Sequence, residues 1–455
     1  MKLFLEKIIA SIWNRLAARR REARYQGGSL DLGYRADDGH VTRRRLTLTS
    51  RERMRHVVVL GKTGSGKSYL LRHMSQQDIE KGRGFIYFDL HGDATPFLLR
   101  TINLRERREH RHLSDRLILI DPADPIMSIG LNPLEQEAPD FVRIAEVAEI
   151  LKRHWGLDHF GARTDELLRN ALFALSANHL TLVELTPLLA DSGFRSSCLE
   201  KVTNSEVHQY FELRYDQASE PMRATMREPI LNKTSAFTAD PKFRHIVGQP
   251  YSSFSFREAM DEGCWIIVNL SKGRLGAQAL TLGSLIFTMV KNALFARTTN
   301  RLCSVYCDEV QNFVGQASEI ETVLSEARKT NTGLVAAHQF MDQLPAEMRA
   351  ALLSVGTHVF FQLSSQDAAQ VAQALGGGRT LTERLKNLPQ RFAVVKTGGE
   401  DWAEVRVPTL DDPQVDYTDL LNRVRYTRAK VRAHIDRDIA ERQKRLRRGG
   451  EEDLQ

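Results

Sequence analysis

The sequence predicts an α/β protein, a doubly wound sheet interrupted by an inserted all-α domain. Three observations predict it. Short apolar runs alternate with helical patterns between residues 56 and 122, and again between 264 and 398. These runs are β-branched and aromatic along their whole length, as parallel strands covered on both faces are. Between the two series, residues 136–255 carry helical periodicity and no convincing strand.

The elements follow in order. "LFLEKIIASIWNRLAARRREAR" places Leu5, Ile8, Ile9, Ile12, Trp13 and Leu16 at three-to-four spacing, which predicts an amphipathic helix. Glu6 and Lys7 break its apolar run, which is shorter than the roughly 20 residues a spanning helix needs. No small-residue cleavage site of a signal peptide follows. Such a helix suits docking on protein, or lying on an anionic membrane surface with Trp13 at the interface and Arg19–Arg21 on the headgroups. Residues 29–56 read as a short β segment, "VTRRRLTLTS", leading into the first core strand, "HVVVLG". A helix from Gly66 stops at Gly82, "GFIYFDL" is a strand, a helical piece starts at Ala94, and "RLILIDP" is a strand. "FVRIAEVAEILKRHWG", "TDELLRNALFALSAN" and "SEVHQYFELRYDQ" are the helices of the insert. "CWIIVNLS" resumes the sheet, "LTLGSLIFTMVKNALFAR" is a buried helix, and "CSVYCDEVQNF", "GLVAAHQ", "HVFFQLS" and "FAVVKTG" complete the strands. From about residue 418 the tail reads as a charged helix without a strong apolar stripe, frayed at "KRLRRGGEEDLQ". The implied boundaries are an N-terminal helix and linker at 1–45, a discontinuous core at 46–135 and 256–410, the insert at 136–255, and a basic tail at 411–455.

Composition narrows the class. With 455 residues, 42% hydrophobic and 27% charged, the chain is globular and long enough for two or three domains. It contains no low-complexity tract and no internal repeat. The net charge is +7, but each end contributes about +8, which leaves roughly −9 for the rest. The overall basicity therefore says little about the core, whereas the ends suit nucleic acid, anionic lipid or an acidic partner. Cys198, Cys264, Cys303 and Cys307 form no Cys-x-x-Cys pair and have no histidines at zinc spacing. They read as reduced core thiols, which places the chain in the cytoplasm.

The chemistry sits at strand ends. Gly61, Lys62, Thr63, Gly64, Ser65, Gly66, Lys67 and Ser68 fit G-x-x-x-x-G-K-[ST] after a strand and at the start of a helix. The glycines let backbone N–H groups face phosphate oxygens, and the helix N-terminus adds partial positive charge. Lys67 is expected at the β- and γ-phosphates and Ser68 on Mg²⁺. The motif thus points to a nucleotide and magnesium but not to a reaction. Asp308 and Glu309 end an apolar strand; Asp308 is placed for the magnesium shell, and Glu309 for polarising a water. Gln339 ends "GLVAAHQ" and is expected to sense the γ-phosphate or the attacking water. Arg328, in "LSEARKTNTG", lies at a helix end, where cations are favoured anyway; its functional reading is an arginine finger for a neighbouring subunit. Asp89, His91 and Asp93 cluster after a strand expected beside that of the phosphate loop, in a supporting role near Mg²⁺.

Taken in order, "LHGD", "NPLE", "DEVQNF", "SEARK" and "AHQ" resemble the TraD/TraG-type coupling ATPases of conjugative type IV secretion, within the FtsK–HerA superfamily. The resemblance runs from about residue 50 to 408. It implies a RecA-like P-loop ATPase core with an inserted all-α domain, using ATP and Mg²⁺. It also implies a homo-hexamer that translocates DNA through its channel, with a relaxase or type IV secretion components as partners. On this resemblance Glu309, Arg328 and Gln339 are catalytic, residues 61–68 bind the nucleotide, and Ser68 and Asp308 hold the metal. Two features depart from the family: the N-terminal segment is a short amphipathic helix where spanning helices are usual, and Leu90 replaces a usual proline. The first puts integral membrane anchoring in doubt, and the expectation is a cytoplasmic protein that can meet the inner face of the cell membrane peripherally. Two alternatives stand beside the DNA motor: a HerA-like or secretion-powering ring ATPase, and a nucleotide-gated scaffold on DNA or membrane.

Overall fold

The computed structural model describes residues 29–452 apart from 38, 136–138, 315–316, 342–343 and 399–400. The amphipathic pattern at residues 3–24 lies outside the described residues. In chain order the strands are β1 (Leu30–Asp37), β2 (His40–Leu48), β3 (Val57–Leu60), β4 (Gly84–Asp89), β5 (Leu117–Ile120), β6 (Met127–Ser128) and β7 (Trp265–Asn269). They continue with β8 (Cys303–Cys307), β9 (Thr332–His338), β10 (Thr357–Phe360), β11 (Phe392–Thr397), β12 (Ala403–Arg406) and β13 (Lys430–Val431).

Eleven strands form one sheet, in the order β2-β1-β12-β11-β10-β3-β9-β8-β4-β7-β5. From β10 to β5 every neighbouring pair is parallel; from β10 to β2 every pair is antiparallel. The period of two explains why the central runs are apolar throughout. Val57, Val59, Phe85, Tyr87, Trp265 and Ile267 face one side, where they pack with Leu70, Met74, Phe97 and Ile102 of α1 (Lys67–Lys81) and α2 (Ala94–Glu109). Val58, Ile86, Phe88, Ile266 and Val268 face the other, against α3 (Gln278–Phe295) and the helices that precede β7. Between β6 and β7 the described residues form helices from Asp140 to Glu262 and no strand. No helix among the described residues is long and apolar enough to cross a membrane. All four cysteines are buried free thiols, and burial pushes Cys198 and Cys303 up to about 12.

Three expectations are corrected. First, the 45/46 boundary falls inside β2, because residues 30–48 form a hairpin whose β1 pairs with β12 of the core. Second, β4 does not lie beside the phosphate-loop strand β3; β9 and β8 come between them. Periodicity reports which faces of a strand are buried, not which strand is its neighbour, and chain-adjacent strands are often separated in such sheets. Third, the tail does carry an apolar stripe. Helices α5 (Thr418–Arg428) and α6 (Arg432–Glu452) bury Leu420, Val424, Ile435 and Ile439, pairs at four-residue spacing diluted by arginines. Between the helices β13 pairs with β6, and α6 continues as helix to Glu452. The arginines bind the core and the inserted helices: Arg423 to Glu106 and Arg425 to Asp124 in the core, Arg442 to Glu184 in the insert.

Candidate nucleotide site

The loop after β3 is shaped by its glycines. Gly64 and Gly66 have φ of 76° and 129°, conformations that other residues rarely adopt. A Cβ on Gly66 would come within 2.9 Å of the Phe361 ring, and one on Gly61 within 2.6 Å of Phe361 Cβ. Outside contacts hold the loop: Lys62 N–H donates to Gln362 O at 2.9 Å, Arg391 N–H to Ser65 O at 2.8 Å, and Gln390 Nε2 to Gly64 O at 3.1 Å. The loop turns straight into α1 at Lys67, so the helix N-terminus faces the same space. Lys67 is buried, and Nζ donates to the Gly61 and Lys62 carbonyls at 2.6 and 3.2 Å. Burial lowers its pKa, while Glu309 and Asp308 act in the opposite sense.

β8 and β9 bring the acidic pair and Gln339 to this loop, since both run parallel to β3. Ser68 Oγ donates to Asp308 Oδ2 at 2.6 Å. Asp308 Oδ1 is buried without a hydrogen-bond partner among the described residues, and burial raises this carboxyl's pKa, with the Ser68 bond opposing. Glu309 is buried too and adopts a left-handed backbone, φ 58° and ψ 54°. Gln339 spans the site: its Oε1 accepts from the Thr63 hydroxyl at 3.0 Å, and its Nε2 donates to Glu309 Oε1 at 2.7 Å. Thr63, Lys67, Ser68, Asp308, Glu309 and Gln339 therefore form one cluster. Next to Gln339, His338 is fully buried, and burial lowers its pKa to about 4.

Other expected residues fall elsewhere. Asp89 spends both carboxylate oxygens on the chain that follows it: Oδ1 accepts from Gly92 N at 2.8 Å, and Oδ2 from Thr95 N and Oγ1 at 2.7 Å each. It therefore shapes the start of α2. His91 is exposed but near enough to Asp308 to favour its ionised form, and Asp93 is exposed. Among the described residues no group of three or more His, Cys, Asp or Glu is arranged to hold a metal. Arg328 is exposed in the turn Ala327–Thr330 that precedes β9, whereas Gln339 follows the far end of that strand, which is about 20 Å long at strand rise. It takes no part in its own chain's cluster.

Sequence reading missed Gln311, whose Nε2 donates to Glu309 Oε2 at 2.5 Å. It stands within "DEVQNF", two residues after Glu309, so the signal was present. It also missed Arg391, a left-handed residue (φ 69°) whose guanidinium lies over the Tyr69 ring at 5.6 Å beside the phosphate loop. No motif marks that position, because only the fold brings the start of β11 to the loop.

A phosphate loop opening a helix, with an acidic pair and a polar strand end brought alongside by parallel neighbours, defines a P-loop ATPase with a RecA-like core. The family described as "Helicase HerA, central domain" matches residues 40–280, more than half of the chain. The protein belongs to that family. Among solved structures it is similar to the bacterial conjugative coupling protein TrwBdeltaN70 in complex with sulphate, with a TM-score of 0.59 and 16% identity over 82% of this chain and 90% of that one. The plasmid coupling protein TrwB in complex with ADP and Mg²⁺ gives 0.58 and 16% over 86% and 96%. VirB4 of Thermoanaerobacter pseudethanolicus gives 0.55 and 15% over 84% and 97%. No curated protein matches the sequence.

Proposed function

We propose that this protein is an ATP-driven, DNA-translocating motor of the coupling-protein type, serving conjugative or mobile-element transfer. The observation that carries the reading is the hydrogen-bonded run Thr63–Gln339–Glu309, set beside Lys67 and the Ser68–Asp308 pair. ATP takes its place with its phosphates on residues 61–68 and Lys67 against their charge. Ser68 Oγ and Asp308 are hard oxygen donors of the kind magnesium takes, and the unpartnered Asp308 Oδ1 fits that role. When bound, the ion neutralises charge on the phosphate oxygens. Glu309 orients the attacking water and accepts its proton, and Gln339 reports the γ-phosphate to Glu309. The ADP and Mg²⁺ bound to TrwB support this choice of ligands.

The likeness to conjugative coupling proteins over most of both chains supports the transfer role. In this reading the motor is a homo-hexamer with DNA in its channel, Arg328 reaching a neighbour's site, and relaxase or secretion components at the inner face of the membrane. The VirB4 likeness favours a second reading, a ring ATPase that serves secretion without moving DNA. ATPase rate with and without DNA, read alongside oligomer size, separates the two. The motor reading expects DNA-stimulated turnover in a hexamer, DNA affinity that falls steeply with salt, and loss of turnover in Lys67→Ala. Turnover indifferent to DNA would favour the second reading.

A further inference from the structure

Glu309 is held in a costly place. Its left-handed backbone, φ 58° and ψ 54°, is one that a non-glycine residue keeps only where the surroundings impose it. The surroundings do impose it. The turn Val310–Asn312 folds back under Glu309, with Asn312 N–H donating to Glu309 O at 2.9 Å and Asn312 Nδ2 to the same oxygen at 3.1 Å. Phe313, 2% exposed, anchors the turn against Phe88 at a ring distance of 5.1 Å. Gly283 in α3 makes room for it, since a Cβ there would lie 2.7 Å from the Phe313 ring. What remains is the side chain, a long carboxylate with freely rotating bonds.

Each carboxylate oxygen accepts from a different amide. Gln339 Nε2 donates to Oε1 at 2.7 Å, and Gln311 Nε2 to Oε2 at 2.5 Å. The two glutamines are not equivalent. Gln339 is also tied to the phosphate loop through Thr63, so a ligand on that loop competes for it. Gln311 belongs to the same turn as Glu309, two residues along the chain from the residue it binds and apart from Thr63.

We propose that Gln311 is a positioning residue for hydrolysis: its amide fixes the rotamer of Glu309, so that the carboxylate stays aimed at the phosphate loop when Gln339 turns to the nucleotide. The proposal rests on Glu309 being the group that activates water.

The test compares Gln311→Met, Glu309→Gln and the double variant, reading kcat, KM and the affinity for a fluorescent ATP analogue. Methionine keeps the length of the side chain and removes the donor. Gln311→Met should lower kcat about tenfold, the scale of one hydrogen bond to a charged group, with KM and analogue affinity within about twofold. The double variant should be no slower than Glu309→Gln, because a positioning residue has nothing left to position. Wild-type kcat in Gln311→Met, or a further tenfold loss in the double variant, would overturn the proposal and leave Glu309 in its role. Full turnover in Glu309→Gln would overturn both. If Gln311→Met fails to bind the analogue, Gln311→Glu gives the same decision. It preserves shape but sets a second carboxylate against Glu309, so it should lose more than tenfold in kcat; activity retained there would equally overturn the proposal.

Discussion

At the scale of single residues, an acidic side chain near a nucleotide site can serve the ligand or the fold, and hydrogen bonds decide which. Asp89 serves the fold, since three donors from Gly92 and Thr95 use both its oxygens. Asp89→Ala should cost about 2 kcal/mol in stability, the scale of a lost cap with donors left unpaired. ATP affinity should stay unchanged; a selective loss of Mg²⁺-dependent binding in a stably folded variant would return Asp89 to the metal. His338 is the mirror case, a titratable group that the fold keeps neutral. Burial lowers it from 6.5 to about 4. A lowered folded-state pKa means that the unfolded chain takes up the proton first as pH falls. The stabilisation is therefore whole above about pH 6.5 and is lost toward pH 4. His338→Met should flatten the pH dependence of the unfolding midpoint across that window, and an unchanged slope would show that the acid sensitivity lies elsewhere. Lys67, Ser68, Asp308, Glu309 and Gln339 were legible because each stands at a fixed step from a strand end. Asp89 stands at such a step too, and only its partners, Gly92 and Thr95, show that it is already spent.

At the scale of elements, legibility follows the kind of signal. Strands β3, β4, β7, β8 and β9 announce themselves because both faces are buried. The antiparallel flank is weaker: β2, at the edge, exposes "HVTRRR" yet still reads as β, whereas β12, four residues long between β1 and β11, carries no such signal. The tail was the hardest element to read, since its attachment rests on polar contacts. In α6, Arg442 donates to Glu184 Oε1 at 2.8 Å, with side-chain exposures of 8% and 0%. Arg442 also donates to Gly248 O at 2.9 Å, so α6 fastens the helices between β6 and β7. Breaking such a pair from one side leaves a charge buried alone, at a cost of about 3–5 kcal/mol; replacing both partners with apolar residues is often close to neutral. Arg442→Met should therefore destabilise strongly, and Arg442→Met with Glu184→Gln, which removes the stranded charge and keeps an acceptor for Thr181, should regain part of the loss in thermal unfolding. An unchanged unfolding midpoint in Arg442→Met would mean that α6 is held by Ile435 and Ile439 instead.

At the scale of the whole molecule, the two ends of β9 divide the proposed labour. Its carboxyl end delivers Gln339 to the chain's own phosphate loop, while its amino end, about 20 Å away at strand rise, follows the turn that exposes Arg328. The amino end is tied to β3 through His56, which precedes β3. His56 Nδ1 accepts from Leu334 N–H at 3.1 Å, so Nε2–H donates to Leu324 O at 2.8 Å. Leu324 lies in the last turn of α4 (Ala317–Glu326), whose carbonyls need such partners, and Arg328 follows directly. One imidazole thus ties the strand that carries the phosphate loop to the segment that carries Arg328. Arg328→Ala should lower turnover without weakening ATP binding, because it leaves the chain's own cluster intact. Arg328→Ala subunits keep Glu309, and Glu309→Gln subunits keep Arg328. Mixing two inactive preparations should therefore restore part of the activity at interfaces where a good site meets a good finger. An arginine acting within its own chain, or only holding α4 in place, would give mixed rings with no more turnover than either parent.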